Sequence, residues 1–271
     1  MMESNFIEAK GIRIHYLRSG GDKPQVLLLH GLTDNGACWT PVIEALAGEY
    51  DCIAPDARGH GLSEAPATGY APADHAADAA ALIKALQLSR PAVIGHSMGG
   101  AVATLIASQY PQLVRAAIFE DPAWFAETRI PSPEQGEAMK RGWLEGMRAN
   151  KQRAREAVIA EAHEKNPRWS DGELQPWADA TAQVHEEVLQ WMDAPPIDWR
   201  AALKHMQCPA LLITGDVDHG VIISPAQAAE AQSLHPRLQV AHIADAGHCI
   251  RRDNFAPYMA ATRAFLAQTR L

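Results

Sequence analysis

The sequence predicts an α/β protein with a mostly parallel central sheet flanked by helices and a helical cap inserted before the last two strands. Three observations carry this reading. Short apolar runs alternate along the chain with segments whose apolar residues recur at helical spacing, the βαβα rhythm of a parallel sheet. Some of these runs, such as Val26 to Leu29, are apolar throughout, as expected of strands covered on both faces. Between Asp121 and Pro209 the rhythm stops, leaving mostly helical patterns punctuated by prolines and no convincing strand.

In chain order, Phe6 to Ala9 and Ile12 to Leu17, parted by Lys10-Gly11, read as a hairpin. Val26 to Leu29 ends at His30-Gly31, and Cys52 to Ala54 ends at Pro55-Asp56. A helical pattern covers Asp74 to Leu88, then Ala92 to Ile94 leads through a turn into a helix over Ala101 to Ser108. Further strands are predicted over Val114 to Phe119, Ala210 to Thr214 and Val240 to Ala244, with helices over Pro225 to Ser233 and Phe255 to Ala267. A structureless connection as long as 122–208 is rare in a compact domain, so that stretch reads as a helical lid on a core formed by 1–121 and 209–271.

Composition sets limits. A chain of 271 residues, 47% hydrophobic and 21% charged, is ordinary for a globular protein, which excludes disordered and collagen-like classes. The formal charge of -8 and the lack of a Lys/Arg cluster disfavour nucleic acid or an anionic membrane as partner. The start, Met-Met-Glu-Ser-Asn, lacks a basic region followed by an apolar run, and no stretch reaches the length of a membrane span, so a cytoplasmic location is expected. Cys38, Cys52, Cys208 and Cys249 have no metal-ligand spacing and are expected as reduced thiols.

The most informative stretch is Gly95-His96-Ser97-Met98-Gly99, between an apolar run and an alanine-rich helix. A serine on such a strand-to-helix turn is held in a strained backbone geometry, and glycines two before and two after it remove clashing Cβ atoms, so the hydroxyl is presented. Four other segments accompany it: Leu28-Leu29-His30-Gly31-Leu32, the stretch Pro55-Asp56-Ala57-Arg58-Gly59-His60-Gly61-Leu62-Ser63, Thr214-Gly215-Asp216-Val217-Asp218, and Ala246-Gly247-His248. In this order they resemble the α/β-hydrolase family along nearly the whole chain, each falling at the C-terminal end of a predicted strand, where active sites of such sheets lie.

The resemblance implies a serine hydrolase. A hydroxyl is a poor nucleophile at neutral pH and needs a base, and among twelve histidines His248, in a glycine-bounded loop after the last strand, is similar to the family's catalytic histidine. His30 and His96 are assigned to packing and loop hydrogen bonding. The imidazole needs a carboxylate behind it. Asp218, ending the turn after Ala210 to Thr214, is the expected acid, with Asp216 a structural neighbour. The rival is the pair Glu120-Asp121 at the preceding strand end, where some family members place the acid; its other reading is a helix start before Pro122. The backbone N–H groups of Leu32 and Met98 are the expected oxyanion donors, leaving both side chains free to line the acyl pocket. The charged loop from Asp56 to Ser63 is read as a brace outside the reacting set.

Six of the seven tryptophans, at 124, 143, 169, 177, 191 and 199, lie in the expected cap, and Trp124 is the one expected to face substrate. The expected activity is hydrolysis of a carboxylic ester of a small to mid-sized apolar or aromatic small molecule through an acyl-enzyme, with no cofactor and no metal. Lactone opening, carbon-carbon hydrolysis of diketone-like compounds and cofactor-free perhydrolysis are the alternatives on the same triad. A ligand receptor without turnover is the alternative from another class.

Overall fold

The computed structural model describes residues 2–125 and 132–269. Eight strands form one sheet in the order β1-β2-β4-β3-β5-β6-β7-β8. β1 (Glu3–Ala9) and β2 (Ile12–Arg18) form the expected antiparallel hairpin, and β2 pairs antiparallel with β4 (Asp51–Pro55). From β4 onward every pairing is parallel, through β3 (Gln25–Leu29), β5 (Ala92–His96), β6 (Ala116–Glu120), β7 (Ala210–Thr214) and β8 (Leu238–His242). The chain leaves β3 for β4 on one side and returns to β5 on the other, so the ends of β3 and β5 flank the crevice where an open α/β sheet binds ligands.

Successive side chains of a strand point to opposite faces, and both faces here are covered. Leu27, Leu29, Val93, Ala117, Phe119 and Leu212 pack under α2 (Pro72–Ala85), α3 (Met98–Gln109), α7 (Trp199–His205) and α8 (Pro225–Leu234). Their neighbours Val26, Leu28, Ile94, Ile118, Leu211 and Ile213 pack under α1 (Thr40–Leu46) and α10 (Phe255–Gln268). β8 is the edge strand with one buried residue, Leu238. It lies two residues earlier than expected, because a half-exposed edge lacks the apolar run that marks a buried strand.

Between β6 and β7 the described residues form helices and no strand: α4 (Pro133–Lys151), α5 (Arg155–Lys165), α6 (Asp171–Gln183), a 3-10 segment (Glu186–Asp193) and α7. Ser132 caps α4, accepting from the Gln135 N–H, with Pro133 at the first helical position where its missing N–H costs nothing. α7 departs from the lid boundary expected at 208. It packs on α3 and α8, and Trp199 and Leu203 belong to the core beneath the sheet.

Trp124 also departs from expectation, in that its ring does not face an open pocket. It is wholly buried, stacked on Trp199 with 5.3 Å between ring centres, packed against Phe119, and donates from Nε1 to the Thr104 hydroxyl at 2.9 Å. The chain turns inward after β6, carrying the ring under α3; this direction is set beyond the strand end, where sequence parity no longer reports it. Among the described residues, no helix is long and apolar enough to cross a membrane.

Two predictions follow from this packing. Trp124→Phe should lower the unfolding free energy in urea by about 1–3 kcal/mol, through the lost hydrogen bond and the smaller ring; a change below about 0.5 kcal/mol would instead mark an exposed ring. His75 on α2 is buried edge-on to Trp191 with its Nε2 unpartnered among the described residues, and burial holds its pKa well below 6.5. A histidine whose folded pKa is depressed contributes stability above its unfolded pKa and loses it as pH falls, by up to about 1.4 kcal/mol per pH unit. His75→Phe should therefore shrink the drop in Tm between pH 8 and pH 5, and an unchanged drop would contradict the burial of a neutral ring.

Candidate active site

β5 runs apolar to Gly95, and Ser97 follows with φ 53° and ψ −114° before α3 begins at Met98. A left-handed φ is uncommon for a residue with a side chain and needs surroundings that enforce it. The glycines supply the room. A Cβ on Gly95 would lie 2.1 Å from the Gly99 carbonyl oxygen, and one on Gly99 would lie 2.1 Å from the Leu29 carbonyl oxygen. The Ser97 N–H donates to the Glu120 carbonyl at 3.1 Å, and the Ser97 carbonyl accepts from Ala123 N at 3.0 Å, so the end of β6 clamps the turn from both sides. Ser97 itself stays partly exposed.

His248 lies in the loop after β8, and its Nδ1 donates to Asp121 Oδ2 at 2.6 Å. A carboxylate accepts only, so Nδ1 carries the proton and Nε2 is left with a free lone pair. His248 is further held by its carbonyl, which accepts from His96 Nε2 at 2.9 Å, with the two rings 4.8 Å apart. His96, one residue before Ser97, thereby joins the serine turn to the histidine loop. Burial and the nearby Arg251 hold His96 well below 6.5, so it donates as a neutral ring with its proton on Nε2.

The carboxylate expected behind His248 was Asp218, and the structure corrects this. Asp218 is exposed in the 3-10 turn Val217–His219 and makes no described bond to His248, while its neighbour Asp216 accepts from His242 Nε2 at 2.9 Å and Asp245 N at 2.7 Å. Asp121, of the rival pair, fills the place. Its carboxylate is wholly buried and accepts from the Ile222 and Ile223 N–H groups at 2.8 and 2.9 Å as well as from His248. The difference lies in where the two carboxylates sit. Asp121, at φ 36°, is buried with the Ile222 and Ile223 N–H groups of the loop after β7 turned onto it, whereas Asp218 is carried by an exposed 3-10 turn of that same loop. Glu120, one residue earlier, points away and meets Arg251 through its backbone N–H at 2.9 Å and Nη1 at 3.0 Å. Burial raises the Glu120 carboxyl pKa despite the Arg251 charge beside it.

The loop after β3 passes close to Ser97: a Cβ on Gly31 would lie 3.6 Å from the Ser97 Cβ. Among the described residues neither the Leu32 N–H nor the Met98 N–H donates a hydrogen bond, and Met98 opens a helix whose first N–H groups have no partner inside it. The Leu32 carbonyl lies 2.7 Å from His60 Nε2, a ring that burial, with His30 beside it, pushes down to about 4. The Leu32 side chain, half-buried, packs against Tyr70, Met147, Val184 and Val188, so the insertion covers the crevice with apolar groups. The Met98 side chain turns inward, lining a cavity of about 40 Å³ with His30, His75 and Val102.

The charged loop after β4 braces these pieces. Asp56 accepts from Gly36 N at 2.7 Å, Leu62 N at 2.8 Å and His15 Nδ1 at 2.8 Å. Burial pushes its pKa up, and these donors more than offset that, leaving it below the usual value. Arg58 makes a paired bond to Asp78 at 2.6 and 2.7 Å. His30 bonds the Gly31 carbonyl through Nδ1 and accepts from Ala57 N through Nε2, at 2.8 and 2.9 Å. Behind His248, Arg251 and Arg252 are buried against Asp34 and Glu120, a cluster of charges that sequence reading did not anticipate. Among the described residues no group of three or more His, Cys, Asp or Glu side chains could hold a metal ion.

Comparison with known proteins identifies the family. Residues 24–251 match the family model for the alpha/beta hydrolase fold. The chain is 32% identical to N-formylmaleamate deformylase of Pseudomonas putida, over 96% of this chain and 95% of that protein. It is 30% identical to 2-(acetamidomethylene)succinate hydrolase of Mesorhizobium japonicum, over 86% and 84%. The crystal structure of N-formylmaleamic acid deformylase from Pseudomonas putida S16 superposes with a TM-score of 0.79 at 26% identity, covering 96% of this chain and all of that one. The chain belongs to the alpha/beta hydrolase fold family, and it is a hydrolase.

Proposed function

We propose that this hydrolase cleaves a carboxylic ester of a small to mid-sized apolar or aromatic compound through an acyl-enzyme on Ser97. The observation that carries the reading is the pairing of His248 Nδ1 with the buried Asp121 carboxylate, beside a serine held at φ 53°. In this mechanism His248 Nε2 takes the hydroxyl proton as Ser97 Oγ bonds to the carbonyl carbon, and Asp121 stabilises the imidazolium. The carbonyl oxygen becomes an alkoxide facing the Leu32 and Met98 N–H groups; one such donor is worth about 3 kcal/mol. Collapse breaks the bond to the leaving oxygen, which receives the proton from His248. Water then enters, loses a proton to His248 and releases the acid product, restoring Ser97. No step calls on a cofactor.

The lid in this reading is the insertion between β6 and β7 without α7. Its underside supports an apolar substrate. Met147, Val184 and Val188 face Leu32, whereas Lys140, Arg148, Arg153 and Arg155 are each taken up by a carboxylate at 2.5–2.6 Å. A second reading has one specific support. The two relatives matched over most of their length are named for an acetamido compound and an N-formyl compound, each bearing acylated nitrogen. The same serine chemistry would then expel nitrogen in place of oxygen. Assaying p-nitrophenyl butyrate beside an N-acyl enamine of matched size separates the two readings by their ratio of kcat/KM.

On the better substrate, Ser97→Ala should abolish turnover with the fold intact, and residual activity above about a tenth would contradict the nucleophile assignment. Asp121→Asn should lower kcat by about 10³–10⁴, as expected when the imidazole loses its orienting carboxylate, whereas Asp218→Asn should stay within about twofold of wild type. The reverse order would return the acid to the β7 turn.

A further inference from the structure

The insertion and the sheet meet at several polar contacts. Asn35 Nδ2 donates to Gln183 Oε1, His185 N to the Gly59 carbonyl, and Gln190 Nε2 to the Ala67 carbonyl. None of these reaches the His248 loop. A fourth does. Trp169, in the turn between α5 and α6, donates from Nε1 to Asp253 Oδ1 at 2.9 Å. The other oxygen of that carboxylate accepts from the backbone N–H of Gly247, the residue before His248, at 2.8 Å.

The local sequence builds this contact. Glu173 accepts from the Ser170 N–H at 3.3 Å at the start of α6. Trp169 therefore precedes the cap residue, and Leu174 sits four positions inside the helix. The two pack in one apolar cluster with Ala162, the staple that fixes how a chain enters its helix. Cys249, directly after His248, packs against the same cluster. The guanidinium of Arg252 lies 4.7 Å from the centre of the Trp169 ring, and its Nη2 is 3.0 Å from Asp34, two residues after Leu32. One buried ring of the insertion thus touches the supports of both the histidine loop and the loop carrying the expected oxyanion donor.

We propose that Trp169 is a positioning residue that, through Asp253, makes correct placement of His248 conditional on the insertion being seated over the site. The inference rests on the serine-hydrolase reading above. Asp253 is shared between the insertion and the loop. With the insertion displaced, the carboxylate loses its indole donor and the Gly247 N–H is left on an anchor free to rotate. The base then samples orientations that are unproductive; a substitution that breaks the indole link alone, with the insertion still seated, has the same effect on the base while leaving the apolar underside that binds substrate in place.

Trp169→Phe tests this, since it removes the N–H while keeping an aromatic ring in the cluster; Asp253→Asn serves as the second variant. The measurements are kcat and KM on p-nitrophenyl butyrate, the rate of fluorophosphonate labelling of Ser97, and Tm. The expected result for Trp169→Phe is a fall of about tenfold in both kcat and labelling rate, with KM within about twofold and the protein folded at assay temperature. The double variant should be no slower than Asp253→Asn alone, because both changes break one linkage. An unchanged labelling rate in Trp169→Phe, a rise in KM alone, or additive losses in the double variant would overturn the coupling. If wild type takes no label on Ser97, the serine reading fails and the coupling falls with it; if wild type labels and Trp169→Phe labels as fast, only the coupling falls.

Discussion

A carboxylate removed from water must be paid back in hydrogen bonds, and in this chain the requirement is concentrated on Asp121. The residue is wholly buried at φ 36°, its N–H donates to the Ile213 carbonyl at 3.0 Å, and its oxygens gather two backbone donors and an imidazole. Each partner comes from a different part of the chain: the end of β7, the loop before α8, and the loop after β8. Satisfying one side chain therefore fixes how three strand ends lie relative to one another. The site is a consequence of that arrangement.

Ser97 depends on the same strand ends. Its left-handed backbone is held by the Glu120 and Ala123 main chain on either side of Asp121, and by glycines that let α3 start against β3 and β5. Around it the buried histidines are kept neutral: burial lowers His30, His60 and His96, so each can accept or donate without bringing a charge beside the serine. The charges that are buried are opposed in pairs. Arg251 and Arg252 hold the Asp34 carboxyl well below its usual range against the effect of burial, and Arg251 also meets Glu120. These pairs link the loop after β3, the end of β6 and the segment after His248, the same pieces that Asp121 and His96 hold from the front.

How much of this was legible in the sequence follows from which forces are local. The buried strands were readable because both faces are apolar, as in Val26 to Leu29 and Ala210 to Thr214. The edge strand β8 and the short helix α1 were misplaced or missed, having too little periodic signal of their own. The turn at Ser97 was readable because its glycines answer steric demands within five residues. The acid was not, because Asp121 and Asp218 both sit just past strand ends, and which of them meets His248 is set by how the loops pack, which sequence spacing does not report. Trp124 was misjudged for a related reason, since the chain direction past a strand end is set by tertiary packing.

The claim on which the rest turns is that Ser97 is activated by the His248–Asp121 pair. The most direct measurement is intact-mass spectrometry after fluorophosphonate treatment, with the adduct located by peptide mapping. The account requires a single adduct, on Ser97, that is absent from Ser97→Ala. No adduct, or one on another residue, would contradict an activated Ser97 and leave a hydrolase fold whose chemistry or ligand binding is done elsewhere.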